Sequence, residues 1–204
     1  MEEKDTTRLN FFSDAVFAIA ITLLILEIKA PEVETLADPE ALWRSLEKLW
    51  PSYLAFIASF ASVLIMWINH HGTSLMLVKT SRPFIYANGF LLLTVTFYPF
   101  PTAVIARYLT TEFITTAAVF YCGFNLIVNI AFNLLWETIH GPGGLLKPDV
   151  DPKIIRRITL AVRSGFFLNL ITTVVSFWSP VVGLIINSSI WILWGTMSYK
   201  MNKE

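Results

Sequence analysis

Residues 8–27 read RLNFFSDAVFAIAITLLILE, and the reading of this run decides the fold class. After Arg8 its only charges are Asp14 and Glu27, and the twelve residues between those acids carry none. A helix that crosses a bilayer needs about 20 mostly apolar residues at a rise of 1.5 Å each, and residues 9–29 meet that. Working outward, the chain repeats the pattern in charge-free stretches at 49–68, 83–106, 113–136 and 164–199. The last is too long for one span. Ser179-Pro180 divides it, because the residue before a proline leaves the helical region and proline favours the first helical position. The expected spans are therefore 9–29, 49–70, 83–106, 113–136, 157–177 and 180–199. Runs this long and continuous are not the ten-residue alternations of a membrane β-barrel. The expectation is an all-α integral membrane protein, one domain over 1–204, with six transmembrane helices per subunit.

Composition excludes the other classes. The 204 residues are 55% hydrophobic and 15% charged, against roughly 25% charged and 45–50% apolar residues in globular chains. Mean hydropathy is +0.61. Aromatic residues at 14% argue against disorder, and a single cysteine, Cys122, cannot build a disulfide framework. Fifteen Lys+Arg balance fifteen Asp+Glu, so no global field draws the chain to nucleic acid. The expected partner is the lipid bilayer. No cleavable leader is expected, since residues 1–8 are polar and no small-residue cleavage site follows the first apolar run.

The neutral total hides an asymmetry. Eleven cations fall on one side of the spans (Lys4, Arg8, Lys79, Arg82, Lys147, Lys153, Arg156, Arg157, Arg163, Lys200, Lys203) and four on the other (Lys29, Arg44, Lys48, Arg107). The positive-inside rule then makes both termini cytoplasmic. Seven acids lie on the outer side (Glu27, Glu32, Glu34, Asp38, Glu40, Glu47, Glu112), for a net of −3 outside and +3 inside. Asp38-Pro39-Glu40 reads as a cap, a first-turn proline and a first-turn acid. Leu42, Leu46 and Leu49 follow at helical spacing, so an interfacial helix leads into the second span. Asp151-Pro152 repeats the cap before the fifth span, and Gly141-Pro142-Gly143-Gly144 reads as a turn.

Catalytic and metal chemistry finds little to work with. Glu137 and His140 have the i, i+3 spacing of a di-metal ligand pair, but such a site needs the pair twice plus two more carboxylates. Cys122 sits in an apolar span without a charged neighbour, which favours inert packing. Asn187-Ser188-Ser189 matches a glycosylation acceptor yet lies inside the last span. Thr94 to Tyr98 resembles a carbonyl-lined potassium filter only faintly and lacks its glycine. Pro99 and Pro101 are expected to end or kink the third span.

The odd residue is Asp14. It stands six residues, roughly 9 Å, along the helix from Arg8, inside the hydrocarbon boundary, where a carboxylate normally faces protein or water. A different face carries Phe12, Ala15, Ile19, Leu23 and Leu26 with Thr22 beside it. Ile19 lies about 140° around the helix from Asp14. From pattern alone the aliphatic stripe reads first as residues facing lipid or other helices, and Asp14 as a structural carboxylate bonded to a neighbouring helix.

Arg8 to Asp14 fits the pattern R-x-x-x-F-S-D. With the run onward to Leu24, it resembles the first helix of prokaryotic members of the transmembrane-protein-175 family of potassium channels. The motif-level match covers 8–27, supported by the six-helix layout and by Trp67 and Asn69-His70-His71 ending the second span. The resemblance implies a homotetramer with four first helices around a central pore. It implies a potassium-selective cation channel, not an enzyme, with no cofactor and with monovalent cations as the permeant species, in a prokaryotic plasma membrane. It assigns the constriction to Ile19, Leu23 and Leu26, in place of a carbonyl filter, and a pore-facing hydroxyl to Thr22. Arg8, Phe12, Ser13 and Asp14 match the signature that holds the first helix to its neighbours. Trp67, Asn69 and His70 are the expected partners of Asp14. His70 and His71 are adjacent, so they point about 100° apart and cannot share one site.

The competing function is a secondary cation transporter or proton-coupled exchanger. It calls for acids near the bilayer midplane or paired broken helices, and Asp14 alone, near one end, argues against it. A non-transporting membrane protein, its stripe serving only to pack helices, is a third possibility.

Overall fold

The computed structural model describes residues 2–32, 38–141 and 143–201, with helical residues 2–5, 192–193 and 195–201 traced by backbone alone. Glu34, Pro142 and Lys203, counted above, lie outside the described residues. The chain folds into α1 (Glu2–Leu23), which tightens into a 3₁₀ turn (Leu24–Glu27), then α2 (Pro39–Lys48), α3 (Trp50–Leu75), α4 (Arg82–Phe97), α5 (Pro99–Tyr108), α6 (Ile114–His140), α7 (Pro152–Ser176) and α8 (Pro180–Met201). Among the described residues the nearest thing to a sheet is one antiparallel bridge, Leu77 with Leu146. Among the described residues five segments are long and apolar enough to cross a membrane: Thr6–Glu27, Trp50–Leu75, Arg82–Tyr108, Ile114–His140 and Pro152–Ser176. In α8 the apolar stretch that can be judged is Pro180–Trp191.

Local chemistry sets the boundaries. Helix starts expose unpaired N–H groups, which a preceding Ser or Asp oxygen can accept. Asp38 accepts from Ala41 N at 2.6 Å, Ser81 from Phe84 N at 3.3 Å, and Asp151 from Lys153 N at 2.8 Å. Each of these three helices carries its proline in the first two positions, where no N–H is missed. The same chemistry works in reverse at Pro99, whose ring has no N–H to continue α4. Tyr98 N turns to the Val95 carbonyl at 3.2 Å instead, and α5 resumes at Pro99. The charge-free stretch 164–199 is likewise split, α7 ending at Ser176 and α8 opening on Pro180. At the other end of the chain, α1 begins at Glu2, ahead of the apolar run, because a polar turn can extend a helix beyond its membrane-crossing part.

Lipid tails are as apolar as leucine, so helices in a bilayer associate through close contact and shared polar groups. Both devices are present here. A Cβ on Gly165 of α7 would come within 2.5 Å of Asn129 Nδ2 on α6 and of the Trp194 ring on α8. Gly183 of α8 sits directly on the Ser176 side chain, with no room for a methyl. At the α4–α5 break, the buried Tyr98 hydroxyl donates to Asn125 Oδ1 at 2.9 Å. Thr102 Oγ1 lies 2.8 Å from Ser59 Oγ, which is 3.1 Å from the Tyr121 hydroxyl. The discontinuity is thus stitched to α3 and α6 by groups that would otherwise be unsatisfied in hydrocarbon.

The α3–α4 and α6–α7 links meet on one side of the molecule. Val78 N donates to the Leu145 carbonyl and Lys147 N to the Met76 carbonyl, both at 2.9 Å. Lys79 and Lys147 belong to these two links, and Arg82 and Lys153 lie in the first turns of the helices that follow them.

Candidate functional site

The helix periodicity of α1 gives it two faces roughly 130° apart. Ser13, Phe17, Ala20 and Leu24 are 0–2% exposed and pack on the rest of the chain. Phe12 and Ile19 are 60% exposed, Leu26 56% and Leu23 39%. Thr22 and Arg8 are exposed as well. The Thr22 hydroxyl donates to the Ile19 carbonyl at 2.8 Å, so what it offers outward is its lone pairs.

The inward face is tied down by two polar links. Asp14 Oδ1 accepts from the indole N–H of Trp67 on α3 at 2.8 Å, and the Trp67 ring stacks on His71 with centroids 5.5 Å apart. The second link runs through a residue that sequence reading missed. Ser13 Oγ donates to the Leu9 carbonyl at 3.0 Å, which uses its one hydrogen. Asn88 Nδ2 on α4 must then donate to Ser13 Oγ, at 3.0 Å. That turns Asn88 Oδ1 toward His70 Nε2, 2.7 Å away, and makes the imidazole the donor there. Among the described residues His70 Nδ1 has no partner, and the Phe17 ring packs on the imidazole at 5.5 Å. His70, Asn88 and Ser13 are 3%, 1% and 0% exposed, so the relay is sealed from water.

Of the three residues expected opposite Asp14, Trp67 bonds to it directly, while His70 joins α1 through Asn88 and Ser13. Asn69 Nδ2 turns back to the Ile65 carbonyl of its own helix at 2.9 Å. The signal for Asn88 was an amide inside the apolar stretch 83–106, where a polar side chain normally has a partner.

The other candidates have structural surroundings. Glu137 accepts from Arg163 at 3.0 Å and lies 3.6 Å from His140. Among the described residues no three His, Cys, Asp or Glu side chains come together as a metal would require. Cys122 is buried against Ser176 Oγ at 3.4 Å. Asn187 is 1% exposed and faces Asn169 at 3.5 Å, closed to glycosylation. Residues 94–97 are helical within α4 and Tyr98 is the residue at its end, so this stretch is not a carbonyl-lined filter.

Similarity to known proteins follows the same geometry. A family model described as the endosomal/lysosomal potassium channel TMEM175 matches residues 8–99, from the start of the first-helix motif to the α4–α5 break. A potassium channel of Chamaesiphon minutus is 46% identical over 176 residues, 86% of either chain. One from Streptomyces collinus is 39% identical over 163 residues, 78% of either chain. The crystal structure of a lysosomal potassium-selective channel TMEM175 homologue from Chamaesiphon minutus superposes with a TM-score of 0.86 at 41% identity, covering 96% of this chain and 98% of that one. With its motif-bearing helix inside the matched region and most of its length shared with these channels, the chain belongs to the TMEM175 family, whose members are ion channels and not enzymes.

Proposed function

We propose that the chain is a potassium-selective cation channel: a homotetramer in a prokaryotic plasma membrane, with α1 lining the pore and aliphatic rings in place of a carbonyl filter. The observation that carries this reading is the outward stripe of α1. Phe12, Ile19 and Leu26 are more than half exposed in the single chain, while the face of Ser13, Phe17, Ala20 and Leu24 is packed. Spacings of four and three residues keep Ile19, Leu23 and Leu26 on one line, and four copies about an axis would stack them as three rings. Such rings gate by excluding water. Thr22 supplies acceptor oxygens beside them. In the bracing motif, Ser13 and Asp14 hold α1 within the chain through Trp67 and, by way of Asn88, His70, while the exposed Arg8 and Phe12 face a neighbouring copy and Asn69 steadies the end of α3.

In this reading α8 is the sixth span, and both termini face the cytoplasm. The support is the eleven-to-four division of Lys and Arg. The −3 outer side then concentrates cations at that mouth. No cofactor is involved; the permeant ion is potassium.

Purified protein in potassium-loaded liposomes tests this. Potassium should leave down its gradient without proton or sodium coupling, and Ile19→Asn should wet the constriction and raise flux or lower discrimination against sodium several-fold. Unchanged flux in both Ile19→Asn and Leu23→Asn would remove the stripe from the pore. A fixed exchange stoichiometry would make the protein a secondary transporter.

A further inference from the structure

A cavity of about 480 Å³ lies between α3, α6, α7 and α8, away from α1. Ligand pockets typically run about 300–1,000 Å³. Its wall is largely apolar, with Ile68, Leu135, Ile139, Ile158 and Trp194 among the lining residues, and Arg157 is the charged group in it. The lining spans residues 68–76, the end of α3 and its C-cap, and 154–162 of α7, a depth of roughly 12 Å at 1.5 Å per residue. Gly72 is part of the wall, and a Cβ added there would meet nothing within 4 Å. Room therefore remains inside, bounded by hydrocarbon.

The charge at one end is the second observation. Arg157 belongs to the first turns of α7 together with Lys153 and Arg156, all beside the helix N-terminus and its positive dipole end. Asp149 and Asp151 belong to the preceding loop, and Asp151 caps Lys153 N. Glu137, on α6, is turned to Arg163 and His140. An apolar slot about two turns deep, with a cationic rim on the Lys/Arg-rich side, matches one class of molecule: an amphiphile with a negative head. Basic pockets between helices at the cytoplasmic side are suited to anionic headgroups.

We propose that this cavity takes one acyl chain of an anionic phospholipid of the inner leaflet, its phosphate held by Arg157 with Lys153 and Arg156 beside it. The assignment rests on the membrane orientation given above but not on ion conduction, so potassium flux through pure phosphatidylcholine liposomes separates the two readings.

The test is native mass spectrometry of the purified oligomer with dioleoylphosphatidylglycerol or dioleoylphosphatidylcholine added. Wild type should retain the anionic lipid at least about fivefold better, the scale of one membrane-facing cation. Arg157→Gln should erase most of that preference. Gly72→Leu, which grows into the cavity, should lower retention of both lipids. Equal retention of the two by wild type, or undiminished retention in Gly72→Leu, overturns the proposal. Should either variant fail to assemble, phosphatidylglycerol with a diazirine near its chain end is crosslinked to wild type. Adducts within 68–76 and 154–162 support the site. Adducts only on outward residues such as Ile57, Leu93 and Phe167 overturn it.

Discussion

At the scale of single residues, two polar links anchor the first helix, one through Asp14 and one through Ser13. Asp14 and Trp67 form one bond of 2.8 Å between α1 and α3. Removing one partner of a buried pair leaves the other unsatisfied, at a cost of about 1–3 kcal/mol. Measured interhelical hydrogen bonds in membranes average only about 0.6 kcal/mol. Asp14→Ala is therefore expected to lower the thermal stability of the assembled protein by a modest amount, read by a melting assay in detergent, with ion preference unchanged. A stable assembly with altered potassium-over-sodium preference would contradict a bracing role. Asn88→Leu should cost more, since it strands both the His70 N–H and one side of Ser13, two groups at most 3% exposed. If that variant melts with wild type, the relay is not holding α1 to α4.

At the scale of elements, helix contacts depend on where side chains are absent. Gly165→Ala would force Asn129 and the Trp194 ring to move, because the added methyl falls within 2.5 Å of each. Overpacking of this kind costs about 1–3 kcal/mol. Gly89→Ala is the matched control: nothing lies within 4 Å of its missing Cβ, and exchanging glycine for alanine inside a helix is neutral to favourable by up to about 1 kcal/mol. Equal melting of the two variants would show that the α6–α7–α8 contact is looser than its geometry. The α4–α5 break follows the same economy, since Pro99 interrupts the backbone ladder and Tyr98, Asn125, Ser59 and Thr102 restore the polar pairing through side chains.

At the scale of the whole molecule, the outward face of α1 asks for a partner surface. A water-lined path bounded by its stripe requires several copies, and the native mass in detergent should be four times the 23.1 kDa chain. A dimer mass would leave the three proposed rings open and redirect the stripe to lipid. The charge asymmetry belongs to this scale too. In the proposed orientation no single cation decides the side; the eleven-to-four division of Lys and Arg does so as a sum.

Helix identity and the ends of most helices were legible in residue order, because they arise from local causes; the packed face of α1, Ser13, Phe17, Ala20 and Leu24, was not. Continuous apolar runs, capping oxygens before Pro39 and Pro152, and the break at Pro99 act over four or five residues, and the backbone obeys them in any surroundings. The pairing of Asp14 with Trp67 was within reach for a related reason: both lie near the same ends of their helices, and each needs a partner. Which polar group answers which other one was a different matter. Asn88 between His70 and Ser13, the five-residue cluster around Tyr98, and the cavity beside Gly72 depend on how helices far apart in the chain rotate and approach. That rotation is set by contacts such as Gly165 against Trp194, whose partners stand 29 residues apart. Residue order therefore decides which segments become membrane helices and which faces they offer, through short-range sterics and hydrogen bonding. Tertiary packing decides which faces meet, because that choice is a sum over long-range contacts that no single segment encodes.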